Sequence, residues 1–116
     1  IFLNKRKVKI GLGSASKNAE VILSKLGLTS FFEIVIDGNK VKKSKPHPEV
    51  FLRGSLALGV VPEKCLVFED SASGIISAKA AGMTAVAIGN PDKFLNEYFC
   101  YPDFLSLVQN DLDKLF

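Results

Sequence analysis

Two segments of this chain, CLVF at residues 65–68 and TAVAI at 84–88, are apolar at almost every position rather than alternating apolar with polar. A strand with one wet face must alternate, whereas a strand inside a parallel sheet is covered by helices on both faces and reads as a continuous apolar run. That constraint selects an α/β chain with a doubly wound parallel sheet. The rest of the sequence follows as βα units in series. Residues 7–12 read as a first strand, and Ala19, Ile22, Leu23 and Leu26 then recur at helical spacing until Gly27. FFEIVIDG is a short apolar run closed by an Asp-Gly turn. HPEVFLRGSLALG places Pro48 near a first helical turn, Val50, Phe51, Gly54, Ala57 and Leu58 on one face, and Gly59 past the end. SASGIISAKAAG is an alanine-rich helix ended by Gly82, and Phe104, Leu107, Val108, Leu112 and Leu115 mark an amphipathic closing helix.

The chain has 116 residues, 47% hydrophobic and 23% charged, which suits one globular domain with a core of its own. No apolar run reaches the roughly 18 residues of a membrane helix, and residues 1–10 lack the layout of a cleavable signal. Cys65 and Cys100 have no spacing that reads as a zinc site, and reduced thiols and a cytoplasmic location are expected. The net charge is +3, with lysines concentrated at 40, 42, 43 and 45; no aromatic residues interleave with them, so no nucleic-acid platform is expected. A solvated loop accounts for most of that cluster. His47 and the aromatic residues from 94 to 104 read as loop and packing residues.

In open parallel sheets, ligands sit beyond the carboxyl ends of the strands, where helix N-termini present unpaired N–H groups. Three stretches fall there. Gly13, Ser14, Ala15 and Ser16 end the first strand, and small residues with a hydroxyl would let an anion approach the backbone; a plain turn capped by Ser16 or Asn18 is equally open. Glu69 and Asp70 end the most apolar strand, where adjacent carboxylates repel and call for a cation; a hard divalent ion such as Mg²⁺ suits them, and helix capping by Asp70 or Ser71 is the alternative. Lys45 is followed by Pro46, which biases its backbone toward extended conformations.

The order of these stretches along the chain resembles the haloacid dehalogenase superfamily of phosphoryl-transfer enzymes. More narrowly, GSASKNA, DGNKVKKSKPHPEVF and LVFEDSASGIISAKAAGM look like the β-phosphoglucomutases, over about residues 5–90. The resemblance implies that Ser14 and the Ala15 N–H hold phosphoryl oxygens, that Lys45 neutralises them, that Asn18 contacts substrate phosphate, and that Glu69 and Asp70 hold Mg²⁺ directly or through water. It implies a phosphorylated sugar as substrate and interconversion of β-glucose 1-phosphate with glucose 6-phosphate through an aspartyl phosphate and a bisphosphate. A sugar-phosphate phosphatase of the same superfamily is the alternative.

The family's nucleophile lies in an Asp-x-Asp motif on an N-terminal strand, followed by a cap domain, and the sequence contains neither. Asp111 and Asp113 show the spacing but fall in the closing helix, with no strand before them. In the family the nucleophile strand stands between the strands placed here at 7–12 and 65–68. Strands lie about 4.8 Å apart, so without it a slot about 10 Å wide would be edged by unpaired backbone groups, each costing about 1 kcal/mol or more when buried. Residues 1–116 are therefore expected to be the C-terminal part of such a core domain, completed by an upstream or separate N-terminal segment. Without that segment a catalytically silent, anion-binding fragment is the further alternative. A receiver domain would carry its acidic pair early and its Lys-Pro late, the reverse of this order.

Overall fold

In the computed structural model, which describes residues 8–14, 16–90 and 100–103, every strand pairing is parallel. The strands are β1 (Gly11–Gly13), β2 (Ile34–Ile36), β3 (Leu66–Glu69), β4 (Thr84–Ile88) and β5 (Cys100–Tyr101); the helices are α1 (Ala19–Leu26), α2 (Glu49–Leu58) and α3 (Ala72–Ala80). Short 3₁₀ turns stand at Thr29–Phe31 and Pro62–Lys64. Helices joining successive parallel strands give the α/β doubly wound arrangement that the apolar runs require. Among the described residues, β1 pairs with β2 and the order β3-β4-β5 forms a second ladder, with no ladder joining β1 to β3.

β4 shows why the continuous apolar run identifies this sheet. Successive side chains of a strand point to opposite faces, yet Ala85, Val86 and Ala87 are all buried, Val86 and Ala87 completely. Both faces are therefore covered. On one of them Val67, Ala85, Ala87, Ile75, Ala78, Ala81 and Met83 form a single cluster, with Phe51, Cys65 and Cys100 packed against it. Alanines on α3 and β4 bring helix and sheet into close approach, and each fully buried side chain of valine or isoleucine size contributes about 1.5–3 kcal/mol.

Small residues serve packing on β1 too. A Cβ at Gly13 would lie 3.1 Å from Val50 Cγ2 and 3.3 Å from the Phe51 ring, because α2 rests directly on the strand. Part of the glycine content that suggested an anion cradle is thus occupied by a helix. Gly27 and Gly59 close α1 and α2 in left-handed conformation, and Gly82 follows the end of α3.

Several expectations shift. The first strand begins at Gly11 rather than at residue 7, and β5 had no sequence signal. On α1, Ala19 and Leu23 are buried, but Ile22 and Leu26 are about half exposed or more. On α2, Ala57 faces out, while Ser55 is buried by bonding its hydroxyl to the Leu52 carbonyl at 3.1 Å. Periodicity finds a helix face, and the elements packed against it decide how wide the covered stripe is. The closing helix, with Asp111 and Asp113, lies outside the described residues. Cys65 and Cys100 carry free thiols, and among the described residues no helix is long and apolar enough to cross a membrane.

Candidate functional site

β1, β2 and β3 all deliver their carboxyl ends to one rim, and three loops begin there. The first leaves β1 at Ser14, whose N–H continues the ladder by donating to the Ile36 carbonyl at 2.9 Å. Its hydroxyl oxygen accepts the Ser16 N–H, and the Ser16 hydroxyl accepts the Asn18 N–H, both at 3.1 Å. Neither serine caps α1 in the ordinary way; Asn18 is the N-cap residue and makes no side-chain cap bond. The second loop leaves β2 and locks onto the first: the Gly38 N–H donates to the Ser16 carbonyl at 3.1 Å and the Asn39 amide to the Lys17 carbonyl at 3.0 Å.

That second loop carries the lysines. Glu49, the first residue of α2, reaches back to accept the N–H groups of Lys42 and Lys43 at 2.8 and 2.9 Å. These bonds, with Arg53 beside them, hold its carboxyl down at about 2. Lys40 is bound to Glu20, and Lys42 and Lys43 face solvent, as a solvated cluster would. Lys45 turns inward. Its ammonium lies 2.7 Å from Glu69 Oε2 and 5.0 Å from the centre of the Phe51 ring, with the lysine side chain 15% exposed and the glutamate 10%. His47 is half-buried rather than an exposed loop residue, because its Nδ1 accepts the Glu49 N–H and its carbonyl accepts the Ser77 hydroxyl at 2.7 Å.

The third loop leaves β3 with Glu69 and Asp70. Besides Lys45, Glu69 accepts the Asp70 N–H at 3.1 Å, the Ser71 N–H at 3.3 Å and the Ser71 hydroxyl at 3.1 Å. Burial pushes this carboxyl up, but the ammonium and these donors outweigh it and hold it below the ordinary carboxylate range. Part of the cation expected beside the acidic pair is therefore Lys45. Ser71 caps α3 by accepting the Gly74 N–H, and Asp70 is exposed.

Ser14 and Lys45 line one cavity of about 340 Å³, together with Lys17, Lys42 and Ser44. Neither Glu69 nor Asp70 lines it; Glu69 is tied to it only through the ion pair with Lys45. Asn18 is not part of the lining, and Ala15 lies outside the described residues. Lys17, Lys42 and Lys45 bring positive charge to this cavity, that of Lys45 being offset by its ion pair with Glu69. Among the described residues no three His, Cys, Asp or Glu side chains converge. Two adjacent carboxylates still fit Mg²⁺, which takes one or two of them and fills its octahedron with water and phosphate oxygen. Glu69 and Asp70 are the two carboxylates here that would hold it, directly or through water.

Residues that hold this geometry escaped the sequence reading. Glu49 and Ser77 carried no signal that singled them out. Ser77 is fully buried and joins α3 to the loop that bears Lys45. Ser77→Ala leaves the His47 carbonyl without its partner and should lower stability by about 1–3 kcal/mol, measured as a lower denaturation midpoint at unchanged slope.

Comparison with known proteins identifies the family. Residues 2–88 match the haloacid dehalogenase-like hydrolase family. The chain is 44% identical to the fructose-1-phosphate phosphatase YqaB of Escherichia coli over 72% of its length and 45% of that protein's. It is 39% identical to the β-phosphoglucomutase of Bacillus subtilis over 80% of its length and 41% of that protein's. Among solved structures, the β-phosphoglucomutase of Clostridium difficile superposes with a TM-score of 0.87 at 34% identity, covering 98% of this chain and 50% of that one. The chain thus spans less than half the length of these two curated relatives. The match over residues 2–88 places this parallel α/β chain in the haloacid dehalogenase-like hydrolase family.

Proposed function

We propose that the polypeptide carrying these residues transfers phosphoryl groups to or from sugar phosphates, with this chain supplying the wall that receives the phosphoryl oxygens. The observation that carries this reading is the inward ammonium of Lys45, fixed at 2.7 Å by Glu69 on a cavity that Ser14 also lines. A solvated lysine would give no reason for a buried glutamate partner. Ser14 can donate its hydroxyl proton to a phosphoryl oxygen while its oxygen keeps the Ser16 N–H. Lys45 neutralises charge on the same group, the Ala15 N–H contributes a further donor, and Asn18 meets the substrate's phosphate from the start of α1. Glu69 and Asp70 would hold Mg²⁺, directly or through water, and the ion would supply positive charge to the transferring group.

The attacking carboxylate comes from outside these residues. It forms a bond to phosphorus as the sugar oxygen leaves and takes a proton from an acid on the same segment; a second oxygen then attacks the aspartyl phosphate. Support for a separate strand bearing that carboxylate comes from β1 and β3, which share no ladder among the described residues. Without that segment the chain binds anions but turns nothing over. We place the protein in the cytoplasm, on the strength of its two free thiols.

The identity of the second oxygen separates two activities. If it is a sugar hydroxyl, the protein is a mutase that interconverts β-glucose 1-phosphate and glucose 6-phosphate through a bisphosphate. If it is water, the protein is a sugar-phosphate phosphatase; the 44% identity to a fructose-1-phosphate phosphatase supports this reading as the 39% identity to a β-phosphoglucomutase supports the other. A coupled assay of the complete polypeptide with β-glucose 1-phosphate and a trace of the bisphosphate decides between them. Glucose 6-phosphate formation supports the mutase, phosphate release without it supports the phosphatase, and neither product under any Mg²⁺ concentration would contradict the whole reading.

A further inference from the structure

We propose that Gly74 is a positioning residue, the seat on which the Glu69 carboxylate rests and by which Lys45 is aimed. Gly74 is buried in the first turn of α3, among Ala72, Ser73 and Ile75, with no positive φ to require glycine. Alanine stabilises such a helical position relative to glycine, so the choice needs another cause. A Cβ at 74 would overlap the Cγ, Cδ and Oε2 atoms of Glu69. Glu69 cannot step aside freely, since its carboxylate accepts four bonds, from the Lys45 ammonium, the Asp70 N–H, and the N–H and hydroxyl of Ser71. Oε2, one of the overlapped atoms, is the oxygen bound to Lys45. Moving it releases the ammonium from its ion pair, which leaves the Phe51 ring as the remaining contact described for that group. Gly74 also donates its N–H to the Ser71 hydroxyl, so one residue supports the carboxylate from two sides.

The consequence for catalysis rests on the phosphoryl-transfer reading, whereas the steric consequence does not. The test uses the complete polypeptide with Gly74→Ala, Glu69→Ala and the double variant, comparing thermal midpoints and kcat/KM. Gly74→Ala should lower the midpoint in the wild-type background and raise it in the Glu69→Ala background, where the overlap is gone and helix propensity alone acts. kcat/KM should fall at least ~10-fold with Gly74→Ala and fall no further when Gly74→Ala is added to Glu69→Ala. A midpoint that rises equally in both backgrounds, or a double variant that fails to fold, overturns the proposal. So does a Gly74→Ala enzyme that keeps full kcat/KM despite the sign change. Should no sugar phosphate be turned over by the parent protein, the sign change in the midpoint still decides whether Gly74 seats Glu69.

Discussion

Lys45→Ala lowers kcat/KM of the complete polypeptide at least ~100-fold if the ammonium acts on the transferring phosphoryl group. A unit charge about 4 Å from a phosphoryl oxygen is worth on the order of 4 kcal/mol at an effective dielectric near 20, and about 1.4 kcal/mol is a factor of ten in rate. The substitution has a second effect that keeps the result interpretable. In the native chain the Glu69 carboxyl is held down because Lys45 and the Ser71 and Asp70 donors outweigh burial, so its contribution to stability is present above the ordinary carboxylate range and is lost as pH falls through its lowered value. Removing the ammonium strengthens the influence of burial and raises that carboxyl. The Lys45→Ala variant should therefore lose less stability on acidification than the parent, seen as converging denaturation midpoints below the carboxylate range. Loss of activity together with that convergence locates the defect at the Lys45–Glu69 pair. A loss under tenfold would remove Lys45 from the site.

Asp70→Asn should have the other large effect, and on a different observable. Asp70 is exposed, and asparagine keeps its shape, so the fold should be retained. What it loses is one negative oxygen donor at the rim. Groups that only support a metal's ligands typically cost ~10–100-fold in affinity when removed, so a direct ligand should cost at least ~100-fold. Calorimetric Mg²⁺ titration of the complete polypeptide reads this without any turnover. Glu69→Gln tests the other carboxylate in the same titration. Equal losses at the two positions would mean that both carboxylates ligate directly.

The parts legible in the sequence are those whose cause is local or periodic. β3 and β4 were visible because two covered faces leave a continuous apolar run, and the glycines ending α1 and α2 because left-handed backbone favours them. Lys45, Glu69 and Asp70 were visible as charges at loop starts, where solvated or capping roles competed with a shared one. The sequence could not show that Lys45 bonds Glu69 across 24 positions, since that depends on how α2 and α3 pack. For the same reason Ser77 and Gly74 were invisible: each matters through a neighbour from another loop or strand end. β1 was misplaced because Gly11 and Gly13 carry no strand signal; Ile34 on the neighbouring strand crowds the first and the overlying α2 the second, and this, not propensity, selects them. β5, of two residues, is too short for any period to mark it.

The central claim is that Ser14, Lys45 and the Glu69–Asp70 pair face one phosphoryl group. Its most direct test is a crystal structure of the complete polypeptide grown with Mg²⁺ and inorganic phosphate or a phosphoryl-transfer mimic. The anion should lie within hydrogen-bond distance of both the Ser14 hydroxyl and the Lys45 ammonium, with the ion between it and Asp70. An anion bound in another hollow, with Lys45 still closed on Glu69 and remote from it, would contradict the account.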